Sequence, residues 1–124
     1  MATKKKYEFT GEQKHYDGIT LNRIRALVNI PKYGVKAGDL GGWIQSENNL
    51  SQDGQCWVSG NAWVFAEGCV YGDALVSDNT WVYGYAQVSG NAVVRGDTWL
   101  SGYVNVSGYA CLNGGVFTNG RLCG

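Results

Sequence analysis

The sequence predicts an all-β protein: a parallel β-helix with a β-hairpin-like cap at its N-terminus. Three observations carry that prediction. A six-residue period runs without insertion from Trp57 to the end of the chain. Glycine supplies 19 of the 124 residues, about twice its usual share, against a single proline. The apolar positions of the period are spaced for strands and not for helices.

Read in sixes from Trp57, the chain gives WVSGNA, WVFAEG, CVYGDA, LVSDNT, WVYGYA, QVSGNA, VVRGDT, WLSGYV, NVSGYA, CLNGGV and FTNGRL, then Cys123-Gly124. The second position is Val or Leu in ten of these eleven hexads, with Thr118 last. The fourth is Gly in nine, Ala66 and Asp78 being the exceptions. The sixth is mostly small, as at Ala62, Ala74, Ala86 and Ala92. A short fixed period of this kind marks a solenoid. Six is a multiple of the strand period of two and not of 3.6, so a helix would smear the valines around its axis. A small residue two places before each valine puts both on one side of a short strand. The glycine two places after it permits a sharp bend, because Gly tolerates φ > 0. Three strands and three bends then close a coil of 18 residues, and coils stack at about 4.8 Å.

Residues 1–44 read as a different module. Tyr7–Thr10 alternates like a strand, Gly11–Gly18 reads as a turn region, and Gly18–Ile30 as a longer strand. Its parity changes near Asn22-Arg23, which predicts a bulge. Pro31–Gly42 reads as a loop. A solenoid needs its open ends covered, and this module is the expected cap. The β-helix is expected over residues 45–124 in about four coils. No matching cap is visible at the C-terminus, which leaves Phe117 and Leu122 open to a partner.

The coil pattern resembles the hexapeptide-repeat, left-handed parallel β-helix family. Val58 and Ala62 match its aliphatic position and the small residue four later, while Gly60 sits one place later than the family's glycine. The run Gly38-Asp39-Leu40-Gly41-Gly42-Trp43-Ile44, then Glu47-Asn48-Asn49-Leu50-Ser51-Gln52, then Cys56-Trp57-Val58, is similar to the start of small β-helical proteins common in bacteria and their phages. The resemblance implies left-handed coils and a trimer. It implies little about activity, since most such proteins have no assigned function.

Charge excludes several partners. Ten basic residues balance ten acidic ones, which argues against a mainly electrostatic partner such as nucleic acid. The balance is uneven along the chain: residues 1–36 hold eight Lys/Arg against three acids, and residues 37–124 hold Arg95 and Arg121 against seven. The two segments, or those of adjacent subunits, are expected to attract one another. No stretch approaches a membrane span, and Lys4-Lys5-Lys6 is followed by no apolar run, so a cytoplasmic protein is expected.

The first position of each hexad lies between two inward positions and faces outward. Residues 18 apart then stack. One face is expected to carry Trp63, Trp81, Trp99 and Phe117, with Phe65, Tyr83, Tyr85 and Tyr103 beside them. A second face carries Trp57, Leu75, Val93 and Cys111, and a third Cys69, Gln87, Asn105 and Cys123. An exposed aromatic ladder is more apolar surface than a lone soluble chain normally shows. It can support the coil by stacking, be covered by the N-terminal module, or form a self-association interface. The last is the leading expectation, and two adjacent apolar faces suit a cyclic trimer.

Catalytic chemistry finds little footing. The acyltransferases of the resembled family place a histidine base on a coil, and residues 45–124 contain none. The only histidine, His15, lies in the expected turn region. The four cysteines lack metal-site spacing and are expected to be free thiols, with Cys56 inward. Asp73, Asp78 and Asp97 read as turn residues. No cofactor and no metal is expected. The expected function is therefore non-enzymatic: an oligomeric interaction module acting on a host macromolecule, for instance as a phage-type inhibitor of a bacterial defence system. The alternative is a binder of a nucleotide-like ligand, with its ring in aromatic clefts between subunits and its anion at Arg95 or Arg121. An acyltransferase relative without its base comes third.

Overall fold

The computed structural model describes residues 5–123. It is all-β, a parallel β-solenoid of about four turns preceded by an antiparallel hairpin. Strands β1 (Tyr7–Tyr16) and β2 (Ile19–Ala26) form the hairpin, and β3 (Leu40–Ile44) follows. Six short strands come next: β4 (Trp57–Val58), β5 (Trp63–Val64), β6 (Cys69–Val70), β7 (Leu75–Val76), β8 (Trp81–Val82) and β9 (Gln87–Val88). The last coils hold β10 (Val93–Leu100), β11 (Asn105–Ser107), β12 (Cys111–Phe117) and β13 (Arg121–Cys123).

The strands stack in three parallel columns. The first runs β3, β5, β8 and the second half of β10, pairing Trp43 with Trp63, Trp63 with Trp81 and Trp81 with Trp99. The second runs β4, β7 and the first half of β10. The third starts at a bridge from Leu50 to Val70 and continues through β9, β11 and β13. Strands β10 and β12 continue through the corner between the first two columns and join them into one sheet.

The second-position residues from Val58 to Val106 line the interior as expected, joined by Ile44 and Leu50 from before the repeat, while Thr118 is exposed. Ile44, Val64, Val82 and Leu100 form one buried line, Val58, Val76 and Val94 another, and Leu50, Val70, Val88 and Val106 the third. Alanines 62, 74, 86 and 92 fill the corners, also fully buried. Each buried valine contributes roughly 1.5–3 kcal/mol of apolar burial, repeated coil by coil. The corners need a left-handed residue. At Gly84 φ is 64°, and a Cβ there would lie 2.8 Å from the backbone nitrogen of Gly102 in the next coil. The two corners without glycine use the same conformation, with φ 54° at Ala66 and 61° at Asp78.

Two coils depart from 18 residues. Ile44 pairs with Val64 and Leu50 with Val70, both 20 apart, whereas Val58 pairs with Val76. The two extra residues lie in the corner Ser51–Cys56. That corner closes around the side chain of Lys6, whose Nζ donates to the carbonyls of Cys56 at 2.8 Å and of Asp53 and Gly54 at 3.3 Å. The same ammonium lies 3.1 Å from the buried Cys56 Sγ. Burial pushes the Cys56 thiol pKa up, and the Lys6 charge opposes part of that rise.

The last coil shortens, which corrects two expectations, the places of Phe117 and Cys123. Val94 pairs with Leu112, but Leu100 pairs with Phe117 and Val106 with Leu122. One residue is lost at the corner around Gly114, and another before Arg121. Phe117 is therefore not the fourth ring of the outward ladder but points over Leu100, half-buried against the core. Val116 takes the outward place above Trp99 and is 67% exposed. Cys123 stacks on Ser107, and Arg121 occupies the column position above Asn105. The physical cause lies in the CLNGGV hexad: the pair Gly114-Gly115, both at positive φ, lets the chain cut the corner.

The hairpin also differs from expectation. β1 extends to Tyr16 and the turn is only Asp17-Gly18, so Gly11–Tyr16 is strand and not turn. Gly11, at φ 96°, instead sits in a bulge, where the register jumps from Phe9 opposite Ile24 to Gln13 opposite Asn22. The irregularity predicted at Asn22-Arg23 is thus present, with the surplus residues on the facing strand. β2 stops at Ala26, because Ile30 turns into a tight loop closed by Pro31–Tyr33 and bridged to Val35. β2 pairs antiparallel with β3, while β3 pairs parallel with β5, so one strand carries both kinds of ladder. Among the described residues, only the Lys5–Glu47 ion pair joins the basic first segment to the acidic second; Arg23–Glu12 and Arg25–Glu8 lie within the hairpin.

Candidate functional site: an aromatic face

Outward side chains of the first column form the largest chemical feature of the surface. The indoles of Trp63, Trp81 and Trp99 lie nearly parallel, with centroids 4.6 and 4.9 Å apart. These spacings follow the coil separation, which happens to suit offset ring stacking. Beside them Phe65 stacks on Tyr83 at 5.0 Å, and Tyr85 on Tyr103 at 5.1 Å. Phe65 and Tyr83 also meet Trp81 edge-on. Five of the eight expected residues, Trp63, Phe65, Trp81, Tyr83 and Trp99, are therefore brought together; Tyr85 and Tyr103 stack on each other beyond the corners at Gly84 and Gly102, and Phe117 turns inward.

The hairpin covers one end of the face. Tyr16 packs edge-on against Trp63 and Trp81, at 5.2 and 5.3 Å. Lys14 Nζ lies 4.4 Å from the Trp43 ring centroid and 5.8 Å from that of Trp63. The Arg23 guanidinium lies 5.5 Å from Trp43. Cations over an indole face are attracted by the ring quadrupole. Trp43 is 3% exposed and belongs to the same column, a member that sequence reasoning missed. Its distance to Trp63 is 20 residues, and the long Ser51–Cys56 corner hides it from a search at 18.

At the other end exposure rises. Trp99 is 41% exposed, and across the next corner Tyr85 and Tyr103 are 56% and 75% exposed. Asp97 precedes Trp99 by two residues on β10; both are exposed and the residue between them, Thr98, is buried. Thr98 is tied down: its Oγ1 donates to Arg95 O at 2.7 Å and accepts from Gly114 N at 2.7 Å.

The second apolar face is smaller than expected. Trp57 is 1% exposed, packed against Tyr7 at 6.4 Å and against β3 at Gly41, where an added Cβ would stand 2.7 Å from the indole. It belongs to the core and offers nothing to a partner. Leu75 and Val93 are half-buried. Above this column the Tyr33 hydroxyl donates to Asp73 O, and burial together with the Asp73 charge pushes its pKa up to about 12. Arg95 and Arg121 are both exposed but lie in different columns, opposite Asn113 and Asn105. They do not form a joint anion site within one chain.

His15 is exposed on β1, its Nδ1 3.2 Å from Thr20 Oγ1. All four cysteines are free: Cys56 buried, Cys69 half-buried, Cys111 and Cys123 exposed. No helix among the described residues is long and apolar enough to cross a membrane.

Comparison with known proteins agrees with the fold. Residues 70–84 and 86–102 match the family model described as the YdcK beta solenoid repeat. The match covers the central coils and supports a β-solenoid repeat protein. No curated protein matches the chain.

Proposed function

We propose that the protein is a non-enzymatic protein-interaction module that works as a homo-oligomer, a trimer first. The observation that carries this reading is the uneven covering of the aromatic face. The chain's own hairpin shields Trp43 and packs against Trp63 and Trp81, while Trp99, Tyr85 and Tyr103 stay open. Exposed rings of this size bury 150–250 Å² each when covered, and a rigid stacked ladder loses little side-chain entropy on binding. The interaction surface is thus the Trp99 end of the face, with Phe65, Tyr83 and Trp81 behind it. The assembled module would then act on a second macromolecule; in a phage setting, the resemblance to small phage β-helical proteins makes a host defence protein the first candidate.

Light scattering tests the reading. The wild type at micromolar concentration is expected at about three times the chain mass of 13.4 kDa. Trp99→Glu places a carboxylate on the open indole site and is expected to give a folded monomer. A wild type that stays monomeric would sink the reading. The nucleotide-like ligand remains the second reading, favoured by the exposed Tyr85–Tyr103 stack. Thermal shift of wild type against Tyr103→Ala with nucleotides tests it.

A further inference from the structure

We infer that in the homo-oligomer Arg95 of one copy lies on the open indole of Trp99 in the next. The inference rests on the oligomer reading above and names its central contact. It starts from an asymmetry of the ladder. At the hairpin end the ring column finishes in cations: Arg23 and Lys14 stand over Trp43, and Lys14 reaches Trp63 as well. At the far end Trp99 stacks on Trp81 through one face, and the residue above it is Val116, a small side chain that is itself mostly exposed. Among the described residues no cation stands over Trp99.

Charge around the open ring favours a cation. Asp97 projects from β10 on the same side as Trp99, and Asp78 sits at the same corner one coil earlier. The Asp78 carboxylate accepts from Gly96 N at 3.0 Å, which holds a negative charge against this corner. A guanidinium brought here would meet an indole face and carboxylates together, the combination in which cation–π contact is strongest once water leaves.

The chain carries the matching group one coil below the open ring face, a rise of about 4.8 Å that an arginine stem spans. Arg95 and Trp99 belong to one strand, β10, on either side of one corner. Arg95 is exposed and makes no ion pair among the described residues. In a cyclic assembly of parallel solenoids, residues at equal height meet, and the interface is heterologous: one side of a corner faces the other side of the neighbour's corner. With the β10 corner toward the axis, that geometry presents Arg95 of each copy to Trp99 of the next and closes around the ring. Within a single chain the corner itself keeps the two side chains on different columns.

The experiment compares Arg95→Lys, Arg95→Met and Trp99→Glu with wild type by sedimentation over a concentration series. Arg95→Met keeps the apolar stem and removes the charge, so it is expected to weaken assembly about tenfold per contact, the size of a desolvated cation–π interaction. Arg95→Lys keeps a cation and is expected to retain most of the assembly. Far-ultraviolet circular dichroism should be unchanged in all of them, because the substituted side chains are exposed and the Arg95 carbonyl that Thr98 uses stays in place. An oligomer that Trp99→Glu dissociates and Arg95→Met leaves intact would overturn this contact and leave the oligomer reading standing. A monomeric wild type would overturn both.

Discussion

Leu100 is covered by Phe117, not by Thr118: the two Cα atoms are paired across β10 and β12 at a separation of 17 residues. The last coil therefore closes the core with a large half-buried ring, while Thr118 is exposed. Damage at the two sites should differ widely. Val82 is fully buried between Val64 and Leu100. Val82→Asp buries an unpaired carboxylate and should cost more than about 4 kcal/mol. Thr118→Asp should cost less than about 0.5 kcal/mol. Urea denaturation of both variants checks this, and equal losses would contradict the register.

Thr80 is buried, and its Oγ1 is the one buried side-chain polar atom without a hydrogen-bond partner among the described residues. Thr98, one coil above, spends its hydroxyl on Arg95 O and Gly114 N. Thr80→Val keeps the shape and removes the orphaned hydroxyl, so it should stabilise the fold by about 1 kcal/mol. The same change at Thr98 should destabilise it by a similar amount. Thermal melts of the two variants should move in opposite directions.

Ala66 holds a left-handed corner at φ 54° and is exposed. A non-glycine residue pays about 1–2 kcal/mol for that conformation, and glycine returns part of it as unfolded-state entropy. Ala66→Gly should therefore stabilise by roughly 0.5–1 kcal/mol. Asp78→Gly relieves the same conformation but also removes the acceptor for Gly96 N, so its gain should be smaller or absent. Denaturation midpoints of the pair decide the point.

Alkaline pH should weaken the fold. The Tyr33 phenol is pushed up to about 12 by burial first and by the Asp73 charge second. Tyr7, fully buried with its hydroxyl donating to Leu50 O at 2.5 Å, is pushed higher still. The native state then holds these protons where the unfolded chain releases them. Their contribution is complete below the unfolded value near 10 and is lost as pH rises through the raised native values. Stability measured at pH 9 and pH 11 should fall, and the Tyr33→Phe variant should lose less across that interval than wild type. A fall of equal size in both would assign the effect elsewhere.

The solenoid itself was legible because one short rule is written eleven times, with Val or Leu at the second position of all but the last copy and a bend two residues later. What escaped the rule is where its spacing changes. Ser51–Cys56 is two residues longer than other corners because it wraps Lys6, a residue 50 positions from Cys56 that no local pattern connects to it. That excess hid Trp43 from the ladder. Gly114-Gly115 shortened the last coil although the hexad count continued unbroken, and so moved Phe117 off the face. The aromatic face was legible from Trp63 to Trp99. Covering by the N-terminal module was one of the three readings open, but the covering groups Lys14 and Tyr16 were not legible, because they lie in a stretch whose glycine read as a turn and which is strand.

Strand β3 holds an antiparallel partner along one edge and a parallel one along the other. That double pairing has a kinetic consequence. A hairpin joined by a two-residue turn forms in microseconds and needs no distant contact. Once β2 has aligned β3, the free edge of β3 is an ordered template before any coil exists. Each later strand then searches only as far as the strand about one coil behind it. The loop-closure entropy for every added coil is the same and does not grow with the length of the stack. Growth should therefore run from the hairpin toward the C-terminus, the direction in which a ribosome delivers the chain, and a fault in β3 should slow folding far more than an equal fault in β12.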